Sequence, residues 1–167
     1  GFYPALYYPH NIHFLWSAST MQGQSALSIE SARRVVENVR VEQVKAFPTI
    51  EFFRTVPLLS LVRFAKWDDI LAEPQPHDGF MFARSVWHYA RGVAYAAKGL
   101  SEAANAELAM LEPLKDDVSV RFLDSRDYPG SALVGIAIHL LHGEIAYRGG
   151  EFDQAVSHFE QAVAAQD

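Results

Sequence analysis

The chain has 167 residues, half of them apolar and 13% aromatic, with 20 acidic residues against 14 basic and no cysteine. That is ample core-forming material and excludes an intrinsically disordered segment, while a net charge of −6 argues against a nucleic-acid surface, which needs clustered Lys and Arg. Zero Cys removes disulfides, thiol nucleophiles and Cys-based zinc or iron–sulfur sites, and fits cytosolic and exported proteins alike.

No basic n-region followed by an apolar run opens the chain, so no signal peptide is visible. No stretch reaches the ~18 uninterrupted apolar residues of a membrane span; the best run, Ala132 to Ala146, is broken by His139, His142 and Glu144. The sequence starts at Gly1 rather than Met and stops at Asp167 just after an apolar-faced stretch. It reads as a piece of a longer protein, with Gly1 a remnant of its excision.

Helical periodicity predicts a first helix from about His10 to Met21, a turn at Gly23 and a helix from about Ser25 to Lys45. A second hairpin runs from about Thr49 to Ala65, turns at Lys66 and continues as a short helix through Trp67–Leu71. Glu73-Pro74-Gln75-Pro76 ends it, because Pro cannot extend a helix and restrains the residue before it. Two further hairpins are centred on Gly99, over about 79–113, and on Gly150, over about 131–165. Between them the stretch 114–131 is an insertion. Its turn formers Lys115-Asp116-Asp117 and Asp124 to Gly130 predict a long loop over one edge of the molecule, the first place a protease should cut. No strand-type alternation bounded by hairpin turns occurs.

The last two hairpins share a register. Gly143 stands seven residues before Gly150, with Ala155 five, Phe159 nine and Ala162 twelve after it. Gly92 stands seven and Tyr95 four before Gly99, with Ala104 five and Leu108 nine after it. Small residues in mid-helix let antiparallel helices approach closely, and the turn Gly supplies the backbone between them. Around Gly23, Trp16 takes the small-residue slot and Ser28 the Ala slot, so that hairpin is degenerate. The turn positions Gly23, Lys66, Gly99 and Gly150 lie 43, 33 and 51 residues apart.

The segments Arg91 to Tyr95 and Gly149 to Ala155 resemble tetratricopeptide (TPR) repeats, whose period is ~34 residues. Tyr7 to Leu15, Lys66 to Pro74 and Trp87 to Gly92 are similar to segments of long bacterial TPR proteins that carry further repeats on both sides. The resemblance implies an all-α fold, a right-handed α–α superhelix of about three to four hairpins forming one domain over 1–167. In such arrays the first helices line a concave groove that holds a peptide or partner segment. The groove positions of the family fall here on His10, His13, Ser17, Phe53, Val56, Ser60, Arg63, Val86, Tyr89, Val93, Leu140, Glu144, Tyr147 and Arg148. Chaperone-binding members clamp a terminal carboxylate with Lys, Asn and Arg. The corresponding slots hold His13, Tyr89 and Leu140, then Ser17, Val93 and Glu144, which speaks against such a clamp. The expectation is a non-catalytic scaffold for a protein or peptide, with no cofactor, nucleic acid or membrane as partner.

Catalytic signatures are missing: there is no Gly-Lys-Ser/Thr phosphate loop, no GxGxxG, no GxSxG and no HExxH. Asp68-Asp69 and Asp116-Asp117 follow turns and suit helix N-termini. The histidines supply a rival from another class. His10 and His13, and likewise His139 and His142, are three apart on one helix face, a spacing that suits a transition metal. His88 and His139 both stand eleven residues before a turn glycine, so in this alternative His88, His139 and His142 converge on one ion, with His10 and His13 as a second locus, whereas the TPR resemblance makes the slots of His88, His139 and His142 packing positions. The final helix, about Glu151 to Ala165, spreads Ala155, Val156, Phe159, Ala162 and Val163 over a side broader than one neighbour covers. Val156, Phe159 or Val163 is therefore expected to meet a second copy or a further repeat, or to stand exposed.

Overall fold

The structure is a computed structural model and describes residues 7–166. Gly1 and Asp167, between which the reading of an excised piece was framed, lie outside the described residues. The fold is all-α, with no strand among the described residues. The stretch 1–167, expected as one repeat domain, divides into two compact units, Gly1–Lys66 and Trp67–Asp167.

The first unit contains α1 (Tyr8–Met21), α2 (Ser25–Glu37), α3 (Val41–Ala46), a 3₁₀ segment (Pro48–Thr55) and α4 (Val56–Arg63). The second helix ends eight residues before the expected Lys45. Asn38 turns its side-chain amide back onto the Arg34 carbonyl at 2.8 Å, and the Gln43 side chain accepts the Arg40 N–H at 2.7 Å to start α3. Fully buried Val39 anchors the break between them. Trp16 fits its small-residue slot with its ring beside His13 and its indole nitrogen against a serine. Its indole N–H donates to Ser60 Oγ, Ser60 bonds Ser28 Oγ at 3.1 Å, and Ser28 bonds Thr20 at 2.7 Å, joining α1, α2 and α4.

The second unit contains α5 (Trp67–Ala72), α6 (Met81–Ala97), α7 (Ser101–Leu111), a 3₁₀ segment (Glu112–Asp116), α8 (Val118–Asp124), α9 (Gly130–Gly149) and α10 (Phe152–Ala164). Here α9 is the central element and packs against α6, α7, α8 and α10. A Cβ added at Gly92 on α6 would stand 2.5 Å from the Leu141 side chain of α9, and one at Gly143 would overlap the Phe159 ring of α10. The two equivalent glycines thus serve different approaches, one to the next hairpin and one to the helix's own partner.

The helix ends carry a common hydrogen-bond signature. A left-handed residue donates to the carbonyl three back, and its successor to the carbonyl five back before that successor. Gly23 and Gln24 do so onto Thr20 and Ser19, Gly99 and Leu100 onto Ala96 and Tyr95, and Gly150 and Glu151 onto Tyr147 and Ala146. Ala65 and Lys66 do the same onto Val62 and Leu61. The turn expected at Lys66 is therefore centred on Ala65, φ +54°, and stands 34 residues before Gly99. Asp127, φ +59°, closes α8 in the same way. For a residue with a Cβ this backbone costs roughly 1–2 kcal/mol.

The insertion 114–131 differs most from expectation, because it holds a packed helix, α8, where a continuous loop was expected. Asp117 accepts the Ser119 N–H at 2.8 Å and caps α8. Val120 and Leu123 are then buried, at 0% and 1% exposure, against α9 and the preceding 3₁₀ segment. The turn formers mark the ends of the element, not its interior. No helix among the described residues is long and apolar enough to cross a membrane.

Candidate functional site

The α6–α7 hairpin carries a polar cluster on one seam. His88 Nδ1 donates to Glu107 Oε2 at 2.7 Å, and Arg91 Nε donates to Glu107 Oε1 at 2.7 Å. Arg91 also donates to Tyr95 Oη at 2.8 Å and to the Leu71 carbonyl at 3.3 Å, with its guanidinium 4.4 Å above the Trp87 ring. Trp87 in turn donates its indole N–H to the Glu73 carbonyl at 3.1 Å. Burial pushes the Glu107 carboxyl up, but the hydrogen bonds from His88 and Arg91, with their positive charges, outweigh it and hold the group below its ordinary value. A hollow of about 300 Å³ borders this cluster, lined by Gln75, Arg84, Trp87, His88, Ala106, Glu107 and Met110.

The α9–α10 hairpin repeats the arrangement with different chemistry. His88 and Glu107 stand eleven before and eight after Gly99; His139 and His158 stand eleven before and eight after Gly150. The second pair also meets, Nδ1 to Nδ1 at 3.4 Å. His142, in the register position of Arg91, stacks flat on His158 with ring centres 4.6 Å apart and planes 6° from parallel. Its Nε2 meets Glu112 Oε1 at 3.1 Å. Burial lowers the pKa of both His139 and His158, and the neighbouring imidazoles lower it further, with Lys115 adding to the effect at His139.

This geometry corrects the histidine expectation. His88 is committed to Glu107 on its own hairpin, and His139 and His142 turn to His158 and Glu112 instead. Among the described residues no three His, Cys, Asp or Glu side chains are grouped to hold a metal ion. In the first unit His13 packs edge-on against Phe52 and Phe53 and beside Trp16, with burial and then His10 lowering its pKa. His10 is exposed and meets Phe14 at 4.6 Å. Both Glu107 and His158 were missed from sequence, although the hairpin register, extended to eight residues past the turn, points to each.

The expected groove residues divide by burial. In the first unit Phe53, Val56 and Ser60 are buried, Ser17 is half-buried and Arg63 exposed. In the second unit Val93, at 4% exposure, and Val86 are buried on α6, so they belong to the core and not to an open wall. Tyr89 is half-buried; burial and then the Glu144 charge push its hydroxyl up to about 12. Leu140 and Glu144 are half-buried on α9, and Tyr147 and Arg148 are exposed at its end. Arg148 pairs with Glu144 at 3.4 Å and lies over the Tyr147 ring, which meets Phe152 edge-on.

On α10, Val156 and Val163 are 55% and 61% exposed, while Phe159 is half-buried with its ring over Gly143. Exposed Phe152 continues the same stripe at helical spacing. No protein-family model, curated protein or solved structure matches this chain.

Proposed function

We propose that the chain is a run of TPR-like hairpins stacked as a right-handed solenoid, and that it serves as a scaffold holding an extended segment of a protein partner. One observation carries this: α6–α7 and α9–α10 repeat the same turn and the same contact between the positions eleven before and eight after the turn glycine. The packing of α9 against both helices of the preceding hairpin supports stacking of repeats. Exposed Tyr147, Arg148 and Phe152 supply aromatic and cationic contacts of the kind that anchor peptides.

Selection from a displayed peptide library, followed by fluorescence anisotropy on the selected peptides, tests the reading. Tyr147→Ser and Arg148→Glu should each weaken binding about ten-fold or more. Glu102→Lys, on exposed α7 surface, should leave it unchanged. Failure to select any peptide, or peptides indifferent to the α9 variants, would count against the scaffold.

The Phe152, Val156 and Val163 stripe supports a second copy, or a further repeat, as the cover for α10. Light scattering should show the average mass rising with concentration for the wild type, and not for Val156→Glu/Val163→Glu. A single-chain mass at every concentration would contradict self-association.

A further inference from the structure

We propose that the seam between α9 and α10 is a pH-sensitive clasp, in which protonation of the facing His139 and His158 imidazoles below neutral pH loosens α10 from α9. The two rings lie 5.7 Å apart, centre to centre, and meet head-on, Nδ1 to Nδ1 at 3.4 Å. A neutral pair satisfies that contact with one N–H donor and one lone pair, and so does a pair with a single added proton. A second proton leaves two N–H donors facing each other with no acceptor between them. Surrounding charge makes the first proton costly as well. His142 acts on both rings, and Lys115 acts on His139. Lys115 comes from the 3₁₀ segment before α8 and runs along α9, its Cε 3.5 Å from where a Cβ on Gly135 would stand, one turn before His139. Glu112, from the same segment, brings a carboxylate to the cluster and meets His142. Protonated His142 gains that ion pair, while its stacked ring carries the charge to 4.6 Å from His158.

The two hairpins respond in opposite senses at the same register. In α6–α7 the histidine faces a carboxylate, so a proton on His88 strengthens its 2.7 Å contact with Glu107. In α9–α10 His158 replaces that carboxylate, and a proton that helps the first hairpin opposes the second. Burial, then the neighbouring charges, make His139 and His158 titrate below the ordinary imidazole value while α10 is docked. In the released state the rings meet water and return to about 6.5. The pair's contribution to docking is therefore complete above that value and is lost as pH falls through it toward the lowered docked values. Since α10 packs against α9, with the Phe159 ring over Gly143, loosening it uncovers that apolar face and leaves α6–α7 closed. The clasp rests on the geometry of this seam and is independent of the scaffold reading.

Hydrogen exchange of the α10 amides in the whole chain, corrected for the intrinsic pH dependence of exchange, tests the proposal. Between about pH 7.5 and about pH 5 the opening constant of α10 should rise about ten-fold, while that of α7 holds steady. His158→Gln keeps a neutral donor and acceptor opposite His139 and should remove most of the rise. His10→Gln, on exposed α1 surface, should leave the rise intact. Independently of any substitution, the His139 and His158 ring signals in the NMR spectrum of the wild type should titrate below the ordinary imidazole range. The proposal is overturned by α10 protection that is unchanged in mild acid, or by a rise that α7 shares equally. It is overturned as well by a rise that persists undiminished in His158→Gln or vanishes in His10→Gln, or by two rings that titrate at or above the ordinary range.

Discussion

Glu107→Ala is expected to lower stability by about 2–4 kcal/mol, because it strips Arg91 and His88 of the largely buried carboxylate that both donate to. Side-chain exposures of 12% for Glu107, 8% for His88 and 17% for Arg91 leave little water to replace the lost bonds. Arg91 keeps Tyr95, the Leu71 carbonyl and the Trp87 face, which holds the cost below that of a fully orphaned charge. Glu107→Gln retains shape and part of the hydrogen bonding and should cost about 1–2 kcal/mol.

The pH dependence has a definite sign. The Glu107 carboxyl titrates lower in the folded chain than in the unfolded one. Its contribution is therefore complete above the ordinary carboxylate range and is lost as pH falls through the lowered folded value. Urea unfolding of wild type and Glu107→Gln, measured from neutral pH down to about pH 3, should show their stabilities converging in acid. A gap between them that stays constant, or widens, would contradict a depressed carboxyl at this seam.

Leu141→Ala is expected to cost about 3 kcal/mol, within the ~2–5 kcal/mol range for a large side chain removed from a packed core. Leu141 is fully buried and lies where α9 crosses α6, directly over Gly92. Gly92→Ala alone sets a helix-propensity gain of ~1 kcal/mol against a methyl group driven into Leu141. Combined, the two changes relieve each other, because the new methyl enters the space the leucine vacated. The double variant should be more stable than Leu141→Ala, with a coupling of about 1 kcal/mol or more in chemical denaturation. Strict additivity of the two effects would show that these residues do not share that space.

What was legible in the sequence is what backbone energetics fix over a few residues. Gly23, Gly99 and Gly150 mark turns because the left-handed conformation closing each helix is cheapest without a Cβ. Pro74 and Pro76 stop a helix for an equally local reason, and the periodicity between these marks was enough for the all-α class. Ala65 and Asp127 escaped notice because neither is a glycine, so the residue type carries no mark of the left-handed backbone that each adopts. Packing also turned the segment around Val120 and Leu123 into a helix although its flanks read as loop, and sank Val93 beneath the surface.

The polar seams lay between these extremes. The histidines at eleven before each turn glycine were visible, and so was their shared register. That His88 finds Glu107, while His139 finds His158, depended on the antiparallel closure of each hairpin across 19 residues. Composition carries no trace of such a pairing, because it arises only when the closed hairpin brings side chains 19 residues apart together, and for His88 and Glu107 little water is left to take either partner's place.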